Sequence, residues 1–76
     1  KEAILVSLNA EGNIYIQDKL ISKNELIAEL KLRMKADNST PLLLAADSNL
    51  KYDKIVSVLD IMKRSGAAQV GLVTEE

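Results

Sequence analysis

The chain contains neither cysteine nor histidine. The first absence excludes disulfides, thiolate chemistry and Cys-ligated zinc, and leaves the redox character of the compartment unread. The second removes the side chain that general acid–base catalysis recruits most often. Ser7, Ser22, Ser39, Ser48, Ser57 and Ser65 stand in no nucleophile-elbow context. The glycines Gly12, Gly66 and Gly71 are isolated from one another, so no glycine-rich loop cradles a phosphate. No enzyme is expected, and no cofactor or metal is assigned.

Long apolar runs are missing too. The stretch from Pro41 to Ala46 falls well short of the roughly 20 residues that span a bilayer, and the Lys and Arg residues are dispersed along the sequence. With a net charge of -1 and a pI near 5.4 there is no basic field to release phosphate counterions, so nucleic acid is excluded as a partner. What is present is a folding composition, 47% hydrophobic and 28% charged. Its length of 76 residues supports one domain over residues 1–76 with one core. The chain opens on Lys1 without a signal-like segment, which predicts that it is cut from a longer precursor.

Ala3 to Leu8 alternates, with Ile4, Val6 and Leu8 on one side. The turn residues Asn9-Ala10-Glu11-Gly12-Asn13 then lead into a second alternating run from Ile14 to Gln17, which reads as a β-hairpin. Ser22 and Glu25 match a capping box, and Leu26, Ile27, Leu30 and Met34 recur at helical spacing behind it. Asp37 to Pro41 breaks that helix, and Leu42 to Ala46 reads as a strand that is central or covered on both faces. Tyr52, Ile55, Val56, Leu59 and Met62 mark a second helix closed by Gly66, and Gln69 to Thr74 a last strand. The order is β-β-α-β-α-β, an α+β fold with one sheet and both helices on one face, leaving the other face uncovered.

Candidate residues are few. Asp47 stands at the end of a strand before a helix, where acids bind ligands in α/β folds, but a carboxylate there also accepts backbone N–H groups of the turn, and the turn reading is preferred. Tyr52 is read as packing its ring at the start of an apolar stripe rather than presenting its hydroxyl to a ligand. Asp60 pairs with Arg64, and Glu29 with Arg33, as solvated i,i+4 partners, and Asp53 is a solvated helix residue. Ala28, Leu32 and Ile61 project opposite the core stripes, as scattered apolar groups or as part of a contact patch. A short β-rich domain with an open face has strand edges available to another chain, and Gln69, Val70, Gly71, Leu72 and Val73 form the best candidate edge for a dimer or partner contact.

The segments Leu43-Leu44-Ala45-Ala46-Asp47, Tyr52, Val58-Leu59-Asp60, Gly66 and Gly71-Leu72-Val73-Thr74-Glu75 resemble the ExbD/TolR family pattern. So do the turn Ala10-Glu11-Gly12-Asn13, the run Ile14-Tyr15-Ile16 and the helix opening at Ser22 with Glu25, so the resemblance covers nearly the whole chain. Two positions depart from it. Ala45 stands where a basic residue is common, and Lys51 where Pro usually precedes the tyrosine.

The resemblance implies the periplasmic domain of a single-pass inner-membrane protein, whose upstream transmembrane helix carries a protonatable Asp. Membrane contact would come only through that helix. It further implies a homodimer within a ring of ExbB- or TolQ-type subunits, driving a TonB- or TolA-type protein by the proton motive force, with peptidoglycan as a further contact. The TonB arm energises outer-membrane uptake of iron complexes and cobalamin, and the Tol arm maintains the envelope. A small dimeric ligand-sensing domain is the alternative from a different class, and a polar, glycine-lined crevice between chains would mark it.

Overall fold

The structure, a computed structural model, describes residues 2–75. Lys1, on which the expectation of a longer precursor rests, lies outside them. Seven elements follow in order: β1 (Ile4–Leu8), β2 (Ile14–Ile16), β3 (Lys19–Ile21), α1 (Lys23–Ala36), β4 (Leu42–Asp47), α2 (Tyr52–Arg64) and β5 (Val70–Glu75). They build one five-stranded sheet in the order β3-β2-β1-β4-β5. The β1-β2-β3 meander is antiparallel, whereas β4 joins β1, and β5 joins β4, in parallel.

The strand at Lys19–Ile21 is an addition to the order read from sequence. Gln17 and Asp18 form a two-residue turn with φ of 49° and 70°, and Ile16 pairs with Lys19 across it. Both central residues are left-handed, as a type I′ hairpin requires. Gln-Asp is not the Asn-Gly signature of that turn, and this hides the hairpin. The first turn does carry its signal. Gly12 takes φ +86°, and the Asn9 side chain accepts from the N–H groups of Glu11 and Asn13 at 3.1 and 2.9 Å.

Both parallel crossovers advance toward the β5 edge, so right-handed connections place α1 and α2 on the same face. One apolar cluster lies between the layers. Ile4, Val6 and Leu8 of β1, Ile14 and Ile16 of β2, and Leu42, Leu44 and Ala46 of β4 meet Leu26, Leu30 and Met34 of α1 and Ile55, Val58 and Met62 of α2. No polar or charged side chain is buried among the described residues. β4 is paired on both sides, and even its open-face residues are shielded, with Leu43 half-buried and Ala45 7% exposed. Its near-continuous apolar run reflects that position.

The stripe of α2 is rotated from the one read in sequence. Val58 is buried, whereas Val56 is exposed and Tyr52 is 72% exposed, so the tyrosine ring does not pack in the core. Ile61, read as outward, packs against the core cluster together with Leu59. Apolar residues at 55, 56, 58, 59, 61 and 62 surround much of this helix, and only contact with the sheet and α1 selects the buried ones.

Candidate interaction surface

β5 has a neighbour on one side only. The Leu42 N–H donates to the Gln69 carbonyl at 2.9 Å, which directs residue 69 toward β4. Peptide groups alternate along a strand, so Gly71 and Val73 also face β4, while the N–H and C=O groups of Val70, Leu72 and Thr74 point away from the sheet. These outward groups form a template for another strand. The opposite edge, β3, is three residues long and starts with Lys19, features that blunt an edge.

Register assigns the side chains of β5 to two faces. Val70 pairs with Leu42 and Leu72 with Leu44, so both lie on the helix-bearing face, whereas Gly71 and Val73 pair with Leu43 and Ala45 on the open face. Leu72 therefore does not belong to the exposed sheet face. It remains 42% exposed there. At Gly71 the Leu43 side chain lies across the backbone, and an added Cβ would stand 2.8 Å from Leu43 Cδ2. Glycine here accommodates that close approach. The open face presents Leu5, Leu43 and Val73 around it, with Tyr15 half-buried.

Beside the edge lies a flank of α2. Asp60, Ile61, Arg64 and Ser65 line the groove toward α1, and Lys54, Ser57 and Val58 line a cleft toward the β1–β2 loop and β3. Helical spacing turns Tyr52, Val56 and Leu59 the other way, toward the β5 side. Together with Leu72 they make an apolar border along the free edge, with Tyr52, Val56 and Leu72 at 72%, 42% and 42% exposure. Sequence reading assigned Tyr52 and Val56 to the core because a stripe one step round the helix has the same spacing.

The remaining motif residues hold the frame. Ser22 Oγ accepts from the Glu25 N–H at 3.1 Å, and Glu25 Oε1 accepts from the Ser22 N–H at 2.9 Å, completing the capping box of α1. Those contacts, the Ser22 backbone N–H first and its side chain second, hold the Glu25 carboxyl below its ordinary pKa. Asp47 Oδ1 accepts from the Asn49 N–H at 2.8 Å, and the Asp47 carbonyl from the Leu50 N–H at 3.1 Å, so its carboxylate is engaged in the turn before α2. Gly66 takes φ +97° directly after the α2 C-cap Ser65, whose hydroxyl donates to the Met62 carbonyl. Asp47, Tyr52 and the β5 residues do not converge on one pocket.

The cleft of about 300 Å³ between the meander and the two helices includes Ser22, Lys23, Lys54 and Ser57, with Lys23 Nζ donating to Ser57 Oγ at 2.8 Å. Among the described residues, no group of three acidic side chains could hold a metal ion.

The free strand edge and apolar border of this small α+β module leave main-chain groups and apolar side chains unpaired at its surface. The family model for the biopolymer transport protein ExbD/TolR matches residues 1–76, and the chain belongs to that family. It is 29% identical over 76 residues to the biopolymer transport protein ExbD of Aquifex aeolicus, a match covering all of this chain and 55% of that protein. To the Escherichia coli K12 ExbD it is 22% identical over 76 residues, covering all of this chain and 54% of that protein. The Tol-Pal system protein TolR of the same strain is 31% identical over 77 residues, covering 95% of this chain and 54% of that protein. The chain thus spans about half the length of these relatives.

Proposed function

We propose that the chain is the periplasmic coupling domain of an inner-membrane complex that converts the proton motive force into mechanical work, of the TonB-ExbB-ExbD or TolA-TolQ-TolR type. It is not an enzyme in this reading. The proton-carrying Asp and the membrane helix belong to the part of the protein outside this chain. No helix among the described residues is long and apolar enough to cross a membrane. The observation that carries the reading is the free edge of β5 with its apolar border of Tyr52, Val56, Leu59 and Leu72, in a chain that belongs to the ExbD/TolR family.

The domain acts by dimerisation and by contact with a TonB- or TolA-type partner or with peptidoglycan, and the β5 edge is the surface through which a second copy or the partner strand pairs. Strand addition supplies main-chain hydrogen bonds, and the apolar border accepts alternate side chains of the added strand. The test is sedimentation equilibrium of the chain, and cross-linking to a TonB- or TolA-type periplasmic segment, for the parent, Leu72→Glu and Thr74→Pro. Leu72→Glu places a charge against the border, and Thr74→Pro removes an outward N–H without touching the ladder to β4. Both variants are expected to weaken association at least tenfold while the chain stays folded. Association unchanged in both, or absent from the parent, overturns the proposal.

A further inference from the structure

The cations that are dispersed in sequence are collected by the fold. The two helices carry seven Lys or Arg residues against four carboxylates, and the rest of the sequence carries three against seven. The helical acids are largely engaged: Glu29 pairs with Arg33 at 2.7 Å, Asp60 with Arg64 at 3.1 Å, and Glu25 closes the capping box. Lys31, Lys35 and Lys63 are exposed, and no ion pair among the described residues engages them. Since both helices lie on one face of the sheet, these charges project from one side of the molecule.

They also gather at one pole. The Ile4 N–H donates to the Pro41 carbonyl at 3.0 Å, and the Ala68 N–H to the Asn38 carbonyl at 3.2 Å, so the start of β1 and the segments following α1 and α2 lie together. Both helices therefore end where β1 begins. Lys31, Arg33 and Lys35 occupy the last turns of α1, and Lys63 and Arg64 the last turn of α2. Leu32, 67% exposed, stands on the outer side of α1 among them. The other acids near this pole are Glu2, Asp18 and Asp37, and Asp37 is turned onto Ser39, accepting from its N–H at 3.0 Å and from its hydroxyl.

We infer that this helix-end pole, through Lys31, Lys35, Lys63 and Leu32, docks peripherally on an anionic phospholipid surface. Exposed cations beside a protruding aliphatic side chain suit a headgroup layer, where lysine stems lie along the apolar boundary and their ammonium groups reach the phosphates. Choosing a membrane over other anionic surfaces rests on the inner-membrane reading proposed above, in which the segment before β1 leads to the bilayer and brings this pole nearest to it. The contact would set how the domain stands on the membrane, with the β5 edge left free.

The test is co-sedimentation of the chain with vesicles of phosphatidylethanolamine and phosphatidylglycerol, against phosphatidylcholine vesicles, at low and high salt. Binding to the anionic vesicles alone, lost at high salt, is expected. Neutralising three pole cations in Lys31→Gln/Lys35→Gln/Lys63→Gln weakens it by about a hundredfold, at roughly fivefold per cation. The control Lys23→Gln/Lys51→Gln/Lys54→Gln removes the same charge from the other end of the helices and changes binding much less, and a Lys→Arg version of the pole variant keeps it. Equal binding to both vesicle types, equal loss in the two triple variants, or capture by purified peptidoglycan without capture by vesicles overturns the inference. Leu72→Glu leaves vesicle binding intact, so this inference and the coupling reading fail separately.

Discussion

At the scale of single residues, the best-determined contacts are those in which a short polar side chain satisfies backbone groups that no ladder reaches. Ser22 is such a residue, since the first N–H groups of α1 have no partner within the helix. Ser22→Ala is expected to cost about 1 kcal/mol of stability, read from the urea midpoint at unchanged slope. The reciprocal half of the box titrates. Glu25 has its pKa lowered in the folded chain, so its contribution is complete above the unfolded pKa and is lost as pH falls through the lower folded value. Glu25→Gln should therefore narrow the stability difference between neutral and acid pH, and a pH profile identical to the parent would contradict that role. The Ser22 and Glu25 pair was legible because capping depends only on residues three apart. The exposure of Tyr52 and Leu72 was not, because it depends on how α2 and β5 pack in the fold, which spacing within one element does not fix.

At the scale of elements, the β2–β3 hairpin shows local chemistry being overridden. Gln17 and Asp18 adopt positive φ, a conformation that costs side chains with a Cβ, and the pairing of Ile14 with Ile21 and Tyr15 with Leu20 maintains it. Replacing the turn by Gln17→Asn/Asp18→Gly should raise stability by about 1 kcal/mol, measured by denaturant unfolding, because those residues reach the type I′ geometry with less strain. A loss of stability would show that the Gln17 or Asp18 side chain makes a contact that outweighs backbone preference. The hairpin was invisible in the sequence because its second strand, β3, is three residues long, too short for alternation to register.

At the scale of the whole molecule, the radius of gyration of 11.4 Å is that of a compact chain of this length, for which about 11 Å is expected. All five strands and both helices contribute to, or pack against, one cluster. A chain this small has roughly 4–11 kcal/mol of stability to lose. Leu30, fully buried at the centre of α1, should cost about 2–5 kcal/mol when changed to Ala and should lower one cooperative transition rather than release the helix alone. Separate transitions for α1 and the sheet by helix and tyrosine signals would show that the core is divided.

Residue chemistry within a few positions was enough to read both helices, four of the five strands, the helix start at Ser22, the turns at Asn9 and Asp47, and the absence of histidine and cysteine. Family membership was legible for a related reason, since the order and spacing of such local signals persist along the chain. That β5 is an edge, that Leu72 lies on the helix-bearing face, and that Tyr52 and Val56 turn toward that edge follow from contacts between elements. The tertiary structure alone brought Lys31, Lys35 and Lys63 to one pole. Strand order, the rotation of an almost evenly apolar helix and the grouping of distant charges are set by contacts between segments far apart in sequence, which no local spacing encodes.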